Sequence, residues 1–271
     1  MSKFIRHILL ITQFELKRLF ASRKGILSLL TFAAIWLLIL FYPIRLSANF
    51  IDPNYQAQSS LLLNFLGLGS LLTWPAIELQ VYWRTALVLL PMLSIIIAAD
   101  QTSSDRKRGT LRFLSLRTSR DNLFFGRFSA IVFIQVLTIL ITLISTLLLL
   151  LYRDSSLFSQ VLNSSVSIFI NLLIIILPFS ALMAALSALF DSARQTIMWA
   201  ILFLIVSSII INKVTGYLPG LAFLHIFIPG LHSKEIASIS GLMPLNIAYI
   251  PLLQTVVFLV LGRWVMMRKS L

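Results

Sequence analysis

The chain has 271 residues, of which 59% are hydrophobic and 11% charged, and its mean hydropathy is +0.96. Water-soluble domains carry about 25% charged residues, so an ordinary soluble domain is excluded. Cysteine is absent, which excludes disulfides, thiolate nucleophiles and cysteine-based metal sites.

Residues 1–24 read as an interfacial amphipathic helix. Phe4, Ile8, Ile11, Leu16 and Leu19 recur at helical spacing, and Lys3, Arg6, His7, Gln13, Lys17 and Arg18 form a polar side. Such a helix rests its apolar face at the lipid headgroups. It serves either to anchor the first span or to take part in assembly. Residues 25–271 form one membrane domain. Six charge-poor apolar runs approach the roughly 20 residues needed to cross a bilayer as helix. They are 26–44, 77–99 (interrupted by Arg84), 128–151, 165–190, 195–212 and 245–262. An all-α membrane protein follows.

The connection 45–76 carries the turn signal Asp52-Pro53-Asn54 and an apolar stretch too short to cross. It reads as an outer, interfacial or re-entrant piece. Arg84 lies fifteen residues before Asp100, about 22 Å at 1.5 Å per residue. It either snorkels to outer headgroups or turns inward towards Gln80 and Glu78.

The loop 100–127, DQTSSDRKRGTLRFLSLRTSRDNLFFGR, holds seven of the 22 Lys and Arg residues. So dense a charged island must lie in water at a membrane face. With this loop and both termini placed in the cytoplasm, 17 of the 22 cations fall on that side. That asymmetry obeys the positive-inside rule. The net charge of +13 is therefore a topology signal and argues against a nucleic-acid partner.

In the third span, Gln135, Thr138, Thr142 and Ser145 share one helix face. In the fourth, Ser180, Ala184 and Ala188 recur every four residues, a pattern that permits close helix approach. Both faces read as helix packing, with a substrate path or dimer face as the alternative. Asp191 and Arg194 are spaced to pair locally in the turn after span four. The connection 213–244 is apolar and repeats Pro-Gly-Leu at 219–221 and 229–231. Two half-helices dipping into the outer leaflet are expected there, as an outer gate or a surface plug.

No GxxxxGK[ST], HExxH or GxSxG sequence occurs. The chain is expected to lack its own ATP site and catalytic activity. His225 and His232 are two helical turns apart, but interfacial histidines are commoner than two-His metal sites, so no metal is expected. Gln135, Asn171 and Gln254 are span amides that could meet a substrate.

The order of residues in the loop resembles the ABC-2 type transporter permeases. An acidic residue ends span two (Asp100). Asp105-Arg106, Gly109-Thr110-Leu111, Leu114-Ser115, Ser119-Arg120 and Gly126-Arg127 follow at the family's spacing. Three positions depart from the pattern: Asp105 stands where Glu is usual, Thr118 where Pro is common, and Arg127 where Lys is usual. The resemblance implies a six-span permease of a bacterial inner membrane, paired with a second copy and served by two separate ATPase chains. ATP and Mg would be bound by those partners, and no cofactor by this chain. The first cytoplasmic loop would act as a coupling helix. Asp105, Arg106, Gly109, Thr110, Leu111, Phe113, Leu114, Arg117 and Arg120 are its expected residues. Gln135, Thr138, Thr142 and Arg84 are candidates for a pathway or dimer face. Export driven by the ATPase is the expected function. The alternative is a mechanotransmitter that relays ATPase motion to an outer-side, periplasmic partner.

Overall fold

The computed structural model describes residues 3–47, 76–230 and 242–269, and the side chain of Arg117 lies outside that description. The connection 45–76 therefore falls almost wholly outside the described residues. So do residues 231–241 of the 213–244 connection, His232 included.

Helix α1 (Lys3–Ala21) precedes α2 (Arg23–Ile39), which runs through a π-helical turn at Leu40–Ile44 into Arg45–Ser47. Pro43 lies inside that turn. Its ring removes a donor and crowds the preceding turn, and the wider π geometry relieves both. Then come α3 (Ile77–Ala98), the short α4 (Ser103–Lys107) and α5 (Thr110–Arg117), and α6 (Arg120–Arg153). Helices α7 (Phe158–Leu189) and α8 (Ala193–Tyr217), a 3₁₀ segment (Pro219–Phe227) and α9 (Leu245–Arg268) complete the chain. No strand occurs among the described residues.

Among the described residues six helices are long and apolar enough to cross a membrane. Even crossing brings α1, the α4–α5 loop and the end of α9 to one face, here termed the basic face. The helices outrun their apolar stretches. The 34 residues of α6 would extend about 51 Å at 1.5 Å per residue, well beyond the roughly 30 Å of hydrocarbon. Serine caps set three of the starts. Ser22, Ser119 and Ser192 accept the amides of Gly25 (3.0 Å), Asn122 (3.2 Å) and Gln195 (3.3 Å).

Helix α7 is the central post: 67% of its apolar window is buried, against 6% for α8. Its small residues seat α9. A Cβ built on Gly262 would stand 2.9 Å from Ala185 Cα and 2.7 Å from Phe124 Cζ. Ala184 and Ala188 share a core cluster with Met266 of α9. Contact this close between backbones supplies the dispersion that holds helices together in lipid. Gly262→Ala is expected to destabilise the purified protein by about 1–3 kcal/mol through overpacking, read as an earlier thermal unfolding transition. Gly216→Ala, whose Cβ would meet nothing within 4 Å, is the neutral control.

Candidate coupling site on the basic face

The loop between α3 and α6 is built on one glycine. Gly109 has φ +72°, the left-handed region in which a Cβ is penalised, and there the chain turns from α4 into α5. Thr110 Oγ1 fixes the turn by donating to the Asp105 main-chain carbonyl (3.1 Å) and carboxylate (3.2 Å). Helix α5 then presents two unlike sides. Leu111 is buried against Phe124, Ala184, Ala188 and Met266, and Leu114 is half-buried. Phe113 and Leu116 point away, 72% and 83% exposed.

Behind α5 lies a cluster of four charges. Arg127, only 4% exposed, holds Asp105 through Nη2 and approaches Glu15 Oε1 through Nε at 3.2 Å. Its Nη1 donates to the Gln101 carbonyl at 2.6 Å. Arg18 completes the ring, 2.8 Å from Glu15 and 3.8 Å from Asp105. Two carboxylates and two guanidiniums thus tie α1, α4 and α6 together with no net charge. Burial pushes the Glu15 carboxyl above its ordinary acidity range, against the pull of Arg127 and Arg18.

Helix α1 is seated on α6 by packing as well. A Cβ on Gly126 would lie 2.9 Å from Ile11 Cβ, and Thr12 Oγ1 donates to the Gly126 carbonyl at 3.1 Å. Ile5, Leu9 and Phe20 stay exposed on the rest of α1. The sequence reading missed Glu15 and Arg18 as members of the site. The signal was present: Glu15 stands four residues after Ile11, on the apolar face, where a carboxylate needs a partner.

Arg106 and Arg120 are committed to their own chain. Arg106 donates to the Ala188 carbonyl at the end of α7 and lies 3.6 Å from Asp191. Burial lowers its pKa, with Asp191 opposing the shift, although guanidinium stays charged at any working pH. Arg120 Nη1 donates to the carbonyls of Met266 (3.2 Å), Met267 (3.0 Å) and Lys269 (3.1 Å), closing the end of α9. Asp191 also pairs with Lys269 at 3.2 Å. The expected Asp191–Arg194 pair is not formed, because α8 begins there and carries Arg194 outward while Arg106 and Lys269 converge on the carboxylate.

The polar stripe of α6 faces the interior of the chain. Gln135 Nε2 donates to Ser94 Oγ of α3 (2.8 Å) and Ser180 Oγ of α7 (2.6 Å). Thr142 meets the Tyr82 hydroxyl at 3.1 Å, and Trp36 Nε1 donates to Ser145 Oγ at 2.9 Å. Thr138 bonds back to the Ile134 carbonyl of its own helix. At the opposite face, the fully buried Glu78 pairs with Arg153 (2.8 Å) and not with Arg84, which is half-buried on α3. In the 213–244 connection α8 runs on to Tyr217, and one short helix follows, of 3₁₀ type, over Pro219–Phe227. Among the described residues no group of three His, Asp or Glu side chains converges to hold a metal.

Residues 9–271 match the model of the ABC-2 family transporter proteins, and the chain belongs to that family. It is thereby the membrane permease subunit of an ABC transporter, a class of subunit that works with an ABC ATPase. No curated protein is similar enough in sequence to match it.

Proposed function

We propose that the chain is an exporter permease of a bacterial inner membrane, working as a homodimer with two copies of a separate ATPase that binds ATP and Mg. The basic face is cytoplasmic, with both termini there. Helix α5 is the coupling helix, and its outward pair, Phe113 and Leu116, enters an apolar groove of the ATPase. The observation that carries this reading is the exposure of these two side chains in the most densely charged loop of the chain, 72% and 83%. Apolar anchors ringed by cations are a usual interface composition. The ion-pair ring gives α5 a stiff backing. A push on α5 passes through Asp105 and Arg127 into α6 and α1, and through Arg106 into the end of α7. ATP then needs only to favour one arrangement of the bundle over another, and alternating access follows.

A second reading, a mechanotransmitter acting on a periplasmic partner, draws support from the span amides. Gln135, Asn171 and Gln254 are each bonded within the chain and are not presented to a cargo. Reconstitution with the ATPase in vesicles separates the two. ATP-dependent movement of a fluorescent amphiphile by permease and ATPase alone supports export. ATP hydrolysis stimulated only after a periplasmic extract is added supports the mechanotransmitter.

A further inference from the structure

Besides Pro43 in the first span, three membrane helices carry a proline in their interior: Pro91 in α3, Pro178 in α7 and Pro251 in α9. All three line one cavity of about 40 Å³, together with Leu87, Phe179, Ile247 and Gln254. Each proline removes the helical bond to the carbonyl four residues earlier. For Pro91 and Pro251 those carbonyls belong to Leu87 and Ile247, which line the same cavity. Three helix ladders are therefore interrupted at one level. Close-packed interiors resist bending because side chains have nowhere to go. Here a void is present at the level where bending is easiest, and it is too small to hold a cargo.

The connection after α8 rests on this layer. Ile228 is 3% exposed and Pro229 is buried. Gly230 takes φ +90°, and a Cβ there would lie 3.3 Å from Phe179 Cζ. Beside them Gln254 Nε2 donates to the Ile226 carbonyl at 2.6 Å. Gln254 stands one turn beyond Pro251, on the side of the proline that leads towards the basic face. The far end of the connection is held separately, where the Met243 amide donates to Asn171 Oδ1 at 2.9 Å.

We infer that Gln254 is a gating residue: its bond to the Ile226 carbonyl latches the 219–230 segment shut over the proline layer, and bending of α9 at Pro251 releases it. This rests on the transporter reading for its driving force, but the latch itself does not. Gln254 is a positioning residue for transport and touches no cargo. Release changes one hydrogen bond. The Asn171–Met243 bond is separate from the latch and is left in place.

The chain has no cysteine, so single thiols report cleanly. Ile247→Cys places one in the cavity. Its labelling by a membrane-impermeant maleimide is measured from the outer side of vesicles holding permease and ATPase, with and without vanadate-trapped nucleotide. Slow labelling is expected without nucleotide and faster labelling when trapped. Adding Gln254→Met, which keeps length and loses the donor, is expected to raise the nucleotide-free rate about fivefold, the scale of one net hydrogen bond. Unchanged nucleotide-free labelling in Gln254→Met overturns the latch. Should that variant fail to fold, Gly230→Ala unseats the same segment through strain at φ +90°, and the same rise or its absence decides. A latch response without any nucleotide response sinks the transporter reading alone. A nucleotide response without a latch response sinks this inference alone.

Discussion

Replacing Arg127 by Met is expected to give the largest loss of stability of any single substitution on the basic face. The guanidinium is 4% exposed and is the partner of two carboxylates that are themselves 11% and 16% exposed. Removing it leaves Glu15 and Asp105 facing each other with only Arg18 nearby. Breaking a buried pair from one side costs about 3–5 kcal/mol, because a charge stays behind without compensation. The expected result is early thermal unfolding in detergent. Any surviving protein should bind the ATPase yet fail to transmit its stroke, since α1 and α6 are no longer tied to α4. Adding Asp105→Asn to Arg127→Met should recover part of the stability, because it removes one stranded charge. Arg127→Lys, the residue usual in the family, keeps the charge without the fork and should fall between. A melting temperature for Arg127→Met equal to that of the parent would show that the ring carries no structural weight.

Leu116→Asp is expected to abolish co-purification with the ATPase while leaving the fold intact. At 83% exposure Leu116 supports nothing in its own chain, and surface changes of this kind usually stay within about 0.5 kcal/mol of stability. An anchor at the centre of an interface contributes about 2 kcal/mol or more, equivalent to about thirtyfold in affinity. Phe113→Asp should behave alike. Leu111→Asp, in contrast, should lower stability, because Leu111 is buried under α5. If Leu116→Asp and Phe113→Asp both pull down the ATPase at parental yield, α5 is not the docking element.

The spans were legible because lipid allows so few solutions. Apolar length named all six helices, and charge placement named a face. Their ends were not legible: α6 begins eight residues before its apolar run, because Ser119 caps it and its first two turns pack on α1 and α9. The direction of side chains was hidden as well. Leu111 and Leu116 look equivalent in sequence, yet one is 1% exposed and the other 83%. Only the left-handed turn at Gly109 decides which side of α5 meets the bundle. Arg106 and Arg120 read as coupling arginines; their bonds to the carbonyls at the ends of α7 and α9 were not legible, because those ends are brought near only by the tertiary fold. The stripe from Gln135 to Ser145 carried the right periodicity, but periodicity cannot name the neighbour across the groove.

Helix α8 is clamped at one end. Its only buried residues, Thr196 and Ala200, lie in its first two turns, where Phe190 also stacks on Trp199 with an interplanar angle of 2°. From Ile201 to Tyr217 no residue is fully buried among the described residues. Mechanically this is a lever rooted beside the Asp191 junction, steadied part-way by Leu204 against α7 and α9, with the 3₁₀ segment that Gln254 holds attached to its tip. A small tilt at the root would be magnified along the shaft, so on the proposed coupling a displacement of the Arg106–Asp191 contact would reach the far end as a larger sweep.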